Sequence, residues 1–127
     1  MHRSRLSTFV IDCRDADPDE AARFWSAALG REVLPADPGS PTYRSLKMRD
    51  DEPLVLVQRV DHDSRIHLDI EADDIEAEVA RLEKLGARRI RKIRTWWVME
   101  APTGQRFCVV RPQRGPLDAL PSANIWE

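Results

Sequence analysis

The sequence is short of the features that would point away from an ordinary folded domain. Its 127 residues hold two cysteines, Cys13 and Cys108. They are far apart and match no zinc or redox spacing. In a reducing compartment both are expected as free thiols. An excess of one charge is also lacking: 20 Lys and Arg oppose 22 Asp and Glu, for a formal net charge of -2. A global basic field for nucleic acid is therefore absent. No apolar run approaches the roughly 18 residues of a membrane span. The basic start, Met1-His2-Arg3-Ser4-Arg5, leads into Leu6 to Cys13, which Ser, Thr and Asp interrupt. A secretory signal needs a cleaner apolar stretch and a cleavage site after it. These absences predict a cytoplasmic protein with neither membrane nor nucleic-acid partners. Low-complexity tracts and long linkers are missing as well.

Apolar residues make up 42% of the chain and charged residues 33%, which is enough apolar content for a core. The length fits one domain, 1–127. A domain this size buries about two-thirds of its unfolded surface and needs no disulfide or metal to fold.

Turn signals at Asp17-Pro18, Pro35 to Pro41, Asp50 to Pro53, Asp61 to Ser64, Gly86, Pro102-Thr103-Gly104 and Pro112 to Pro121 divide the chain into short segments. Ser7 to Cys13 reads as a strand. Asp17 is a helix cap with Pro18 at the first helical position. Ala21, Phe24, Trp25, Ala28 and Leu29 follow at helical spacing, and Gly30 closes the helix. Arg31 to Leu34, Tyr43 to Arg49 and Leu54 to Val60 read as strands. The pattern then restarts. Arg65 to Glu71 alternates, and Asp73 or Asp74 caps a helix with Ile75, Val79, Leu82 and Leu85 on one face. Arg88 to Arg94, Trp96 to Glu100 and Arg106 to Val110 complete a second set of strands. The order β-α-β-β-β is written twice, an internal repeat. Module 1 covers about 7–60, module 2 about 65–111, and a tail covers 112–127.

The copies agree in strand parity. With Thr8 opposite His67, Phe9 and Ile11 fall opposite Leu68 and Ile70. These four form the apolar face that a helix would cover. The other face carries Thr8, Val10 and Asp12, and then His67, Asp69 and Glu71. It is expected to meet water or a cavity, because buried unpaired charges are very costly.

The doubled pattern resembles the vicinal oxygen chelate superfamily, which includes glyoxalase I, bleomycin-resistance proteins, thiol transferases and extradiol dioxygenases. More narrowly, it looks like small actinobacterial glyoxalase-like proteins. The motifs are Val10-Ile11-Asp12-Cys13, Ala22-Arg23-Phe24-Trp25 with Leu29-Gly30, and Val57-Gln58-Arg59-Val60. They continue with His67-Leu68-Asp69-Ile70, Asp74-Ile75-Glu76-Ala77-Glu78-Val79, Leu85-Gly86-Ala87 and Pro102-Thr103-Gly104-Gln105-Arg106-Phe107-Cys108. The resemblance covers roughly 7–112. It implies an α+β fold in which two tandem βαβββ modules form a curled-sheet cup with the site on its concave side. It also implies metal-ligand positions, which fall here on Thr8, His67 and Cys108, with a further one near Leu56 or Gln58. Thr8 is a poor ligand, neither Leu56 nor Gln58 is a carboxylate, and His67 alone fits the implied set. A Glu is expected where Cys108 stands.

His67 is the best candidate for chemistry, since an imidazole's ordinary pKa of about 6.5 suits acid–base work. Cys108 and Arg106 share the pocket side of the last strand, where the thiol is either reactive or a small buried residue. Cys13 falls on the helix side. Trp96 and Trp97 face opposite sides of one strand, and Trp97 joins Thr8, Gln58, His67, Asp69 and Cys108 as candidate pocket residues. Tyr43 could line the same cup. The cations of Arg88 to Arg94 read as a solvated edge strand guarded against pairing. Trp126 is an apolar anchor for either the body or a second subunit.

The expected function is binding of a small, partly aromatic or amphipathic molecule in the cup. No cofactor is expected, and neither is glyoxalase I activity. The alternatives are a metal-dependent lyase, isomerase, thiol transferase or dioxygenase, and a non-catalytic interaction module. As the resemblance implies, a homodimer is expected.

Overall fold

Two helices form where the sequence supplies caps. The Asp17 side chain accepts from the Asp19 N–H, and Pro18 opens α1 (Pro18–Leu29). Gly30 closes it with φ +67, and its N–H donates to the Ser26 carbonyl. A Cβ there would meet nothing within 4 Å, so the demand for glycine is conformational rather than steric. The Asp74 side chain accepts from the Ala77 N–H at the start of α2 (Ile75–Lys84). The expected helices at 18–29 and 74–85 are found within a residue at each end.

The computed structural model describes all residues, Met1–Glu127. Its strands are β1 (His2–Arg14), β2 (Tyr43–Ser45), β3 (Leu54–Val60), β4 (Arg65–Ala72), β5 (Arg88–Ile93), β6 (Trp96–Glu100), β7 (Arg106–Val110) and β8 (Asn124–Trp126). No helix is long and apolar enough to cross a membrane. The chain divides into two compact units, residues 8–67 and residues 1–7 with 68–127. The N-terminal residues thus belong with module 2.

In the 8–67 unit, β1 runs parallel to β3 with Ile11 opposite Val57 and Asp12 opposite Gln58. Strand β2 runs antiparallel to β3. Ile11, Val55 and Val57 present one sheet face to Ala22 of α1, and Leu46, Cys13 and Trp25 complete that core. Arg31 to Leu34 was expected as a strand, but only Val33 makes a bridge, to Leu46. The expected strand 43–49 likewise shortens to Tyr43–Ser45. Pro35 cannot donate to a ladder, and Val33 and Leu34 stay exposed, so burial does not hold the segment in a sheet.

In the other unit, β4 is parallel to β7, which pairs antiparallel with β6, which pairs with β5. Ala72, Val79, Leu82, Met99 and Val109 form its core, with Ile70, Trp97 and Phe107 packed against it. Strand β5 is an edge, with a register shift between Arg89 and Arg91. Its cations are partly paired, Arg88 with Glu100 and Arg89 with Glu76 and Glu83. Ile11 and Ile70 take the core places that strand parity predicts. Phe9 and Leu68 share that parity but remain 36% and 40% exposed. Ile11 and Ile70 pack in the two helix-side cores, and Phe9 and Leu68 belong to neither.

The tail docks on its own chain. Strand β8 pairs antiparallel with the start of β1, His2 opposite Trp126 and Ser4 opposite Asn124. Trp126 Nε1 donates to Ser4 Oγ at 2.8 Å, and the Arg81 guanidinium lies 3.8 Å from the Trp126 ring centre. Glu78, fully buried, takes two hydrogen bonds from Arg81 and one from His2. Glu71 was expected to face water or a cavity. It is fully buried instead, because Arg5 Nε and the Gln113 N–H donate to its two oxygens.

Candidate functional site

Strand alternation sets the site in the 8–67 unit. Ile11 and Val57 point to α1, so Asp12 and Gln58, their next neighbours, point to the opposite face. Register extends the row, because Gln58 is opposite Tyr43 and its Nε2 donates to the Tyr43 hydroxyl at 3.1 Å. On the other side, His67 Nδ1 donates to Asp12 Oδ2 at 2.7 Å. Tyr43, Gln58, Asp12 and His67 therefore make one polar row away from the helix. Half-buried Leu54 and Leu56 share this face.

The His67 side chain is 15% exposed and that of Asp12 only 1%. An ionised carboxylate can only accept, so it draws the imidazole proton to Nδ1 and fixes the ring's orientation. The second Asp12 oxygen, Oδ1, is buried and has no hydrogen-bond partner. Arg65, two residues before His67 on the same strand face, brings its Nε within 3.7 Å of Asp12 Oδ2. Its Nη2 lies 3.4 Å from His62 Nε2. Neither Asp12 nor Arg65 is a candidate site residue on sequence grounds alone. The parity of Asp12 with Thr8 was the available signal.

The other candidates fall as follows. Thr8 is buried on the Asp12 side of β1, opposite Leu54. Asp69 and Cys108 stand opposite each other on β4 and β7. Cys108 neighbours core residue Val109 and so faces away from α2. Trp97 does not belong to this set. It is opposite core residue Val109, packs on the helix-side core, and donates from Nε1 to Glu76 Oε1 of α2 at 2.8 Å. Arg89 stacks 4.9 Å from its ring centre. Cys13 packs on the α1 core, where burial first and the Asp12 charge second push its thiol pKa up. An open cleft of about 510 Å³ near Gly30, Arg31, Lys47 and Arg49 shares no residue with the polar row.

The metal positions that the family resemblance implies do not all carry ligands, since Thr8 offers only a hydroxyl. Within the second unit, Asp69 and Cys108 are two side chains of ligand type. Asp69 faces Cys108 in the ladder, and His67 is two residues before Asp69 on the same strand face. By donor type these residues fit a borderline-soft divalent cation.

A family model described as a glyoxalase-like domain matches residues 8–110. The chain belongs to this family. Solved structures agree on the fold. The Mycobacterium tuberculosis methylmalonyl-CoA epimerase is 17% identical, with a TM-score of 0.60 over 90% of this chain and 90% of that one. A member of the glyoxalase/bleomycin resistance protein/dioxygenase superfamily from Vibrio splendidus 12B01 is 20% identical, with a TM-score of 0.51 over 84% and 98%. A Legionella pneumophila protein described as an NAD-dependent benzaldehyde dehydrogenase is 9% identical, with a TM-score of 0.64 over 84% and 98%. At these identities the likeness is one of fold, the α+β glyoxalase/bleomycin-resistance architecture. No curated protein matches the sequence. Members of a glyoxalase-like family share a scaffold, and function rests on the site each one builds.

Proposed function

We propose that this glyoxalase-like domain binds a small, partly aromatic or amphipathic organic molecule on the sheet face carrying Tyr43, Gln58, Asp12 and His67. The observation that carries the reading is the His67–Asp12 hydrogen bond of 2.7 Å, made by a carboxylate with 1% exposure. A buried acid holding an imidazole in one orientation is a preorganised polar contact. Half-buried Leu54 and Leu56 give an apolar body somewhere to lie. In this reading His67 hydrogen-bonds the ligand and no metal is required.

The test is a thermal-shift screen of small aromatic acids, amides and alcohols, followed by calorimetry on the hits. His67→Ala is expected to weaken binding by about 1–2 kcal/mol, the scale of a lost buried hydrogen bond. A hit that binds equally well to the variant would count against the role of His67.

The ligand-type pair Asp69 and Cys108, opposite each other on β4 and β7, favours a second reading, metal-dependent chemistry. A divalent ion held there would act as a Lewis acid. Asp12 would then orient a ligating imidazole, as carboxylates commonly do behind metal-bound His. Elemental analysis of protein made without a chelating tag separates the two readings. One ion per chain that is lost in His67→Ala would put the second first. A cytoplasmic location and a homodimer complete the proposal.

A further inference from the structure

Arg65 is the feature of the polar face that the proposed function leaves unused. Its side chain is 48% exposed and stands on the same strand face as His67. Two groups flank its guanidinium, Asp12 Oδ2 at 3.7 Å from Nε and His62 Nε2 at 3.4 Å from Nη2. The first distance allows charge attraction but no hydrogen bond, and the second is a long contact. The planar fork of N–H donors is thus held in place without being saturated. The other cation on this face of β1, Arg14, is engaged by Asp63 at 2.7 Å and lies near Asp15. The second oxygen of Asp12, Oδ1, is buried and makes no hydrogen bond to Arg65.

From this geometry we infer that Arg65 recognises an oxyanion, so that the ligand is a small organic carboxylate or phosphate monoester. The inference rests on the small-molecule reading above and adds the charge of the ligand. A guanidinium matches both oxyanions through parallel N–H···O bonds. Holding it beside His67 lowers the ordering cost of binding. The anion would sit at Arg65, the apolar body against Leu54 and Leu56, and a polar substituent toward His67.

The experiment follows backbone amide shifts of residues 10–14, 54–60 and 65–67 in the full chain. Benzoate, phenyl phosphate and uncharged benzamide serve as probes. Benzoate or phenyl phosphate is expected to bind at least tenfold more tightly than benzamide. The stronger of the two anions identifies the source of the oxyanion. In Arg65→Gln the preference should disappear while benzamide binding is unchanged, and Arg65→Lys should restore part of it. Binding of benzamide as tight as that of both anions, or anion binding unaltered in Arg65→Gln, overturns the inference and leaves the small-molecule reading standing. If no probe perturbs these residues, both are overturned.

Discussion

Glu78 has no exposed surface, yet it is a charged residue at neutral pH. Burial pushes its carboxyl pKa up, but hydrogen bonds from Arg81, His2 and Ser4 outweigh that and hold it below the usual carboxylate range. A depressed folded-state pKa adds stability above the unfolded value. That stability is lost as pH falls through the folded one. Glu78→Gln is therefore expected to cost about 1.5–3 kcal/mol near pH 7, the scale of hydrogen bonds to a charged group. The difference from the parent should shrink below a pH of about 4.5, the ordinary carboxyl value. Urea denaturation of both proteins at pH 7, 4 and 3 checks this, and a pH-independent difference would contradict it. At this scale the sequence is partly legible. Parity puts Asp12, His67 and Cys108 away from the helices and Cys13 beneath one. The bond between Asp12 and His67 is not legible, because it joins residues on different strands and no local pattern encodes their register. Trp97 fails for a related reason. The register shift between Arg89 and Arg91 lies in the strand paired with it, and charged neighbours on both faces of that strand leave its parity unmarked.

The helices were readable because their ends carry chemical signals. Asp17-Pro18, Gly30 and Asp74 each do locally what the structure shows. Strand ends carry weaker marks. The segment at 31–34 has strand-like residues but gains only the one bridge from Val33 to Leu46, whereas β8 lies in a proline-rich tail that reads as irregular. What makes β8 a strand is distant, namely the pairing with His2 to Ser4 and the seat for Trp126. Removing residues 113–127 would take away that strand, buried Leu117 and the Gln113 donor to Glu71. A loss of at least about 3 kcal/mol is expected, the scale of deleting a large packed side chain. The urea midpoint of a chain ending at Pro112 measures it. If the shortened chain keeps its stability and only changes mass in light scattering, the tail acts between chains instead.

Across the whole molecule, the repeat was legible because each copy opens on an alternating strand followed by a capped helix, although the first copy keeps only a bridge at Val33 where a third strand was expected. The assignment of residues 1–7 to the second unit was not, since it depends on His2, Arg3 and Arg5 finding Glu78, Asp73 and Glu71. Each unit leaves large apolar side chains exposed, Phe24, Leu29, Val33 and Leu34 in one and Leu85 and Ile125 in the other. The proposed homodimer would cover some of these side chains on association. Multi-angle light scattering is expected to give about twice the chain mass of 14.6 kDa. A concentration-independent value near one chain would reject it.

The β5 edge bears on how the protein fails. An open edge is a template on which a partly unfolded neighbour can grow a fibre. Here Arg91 and Lys92 charge that edge, and the shift after Arg89 takes it out of register. Two copies meeting edge to edge would bring like charges together before any ladder closed. Heated samples should therefore return to solution on cooling rather than gel. Replacing Arg91 and Lys92 with Thr and Val, harmless to either core, would remove the barrier and turn reversible melting into precipitation.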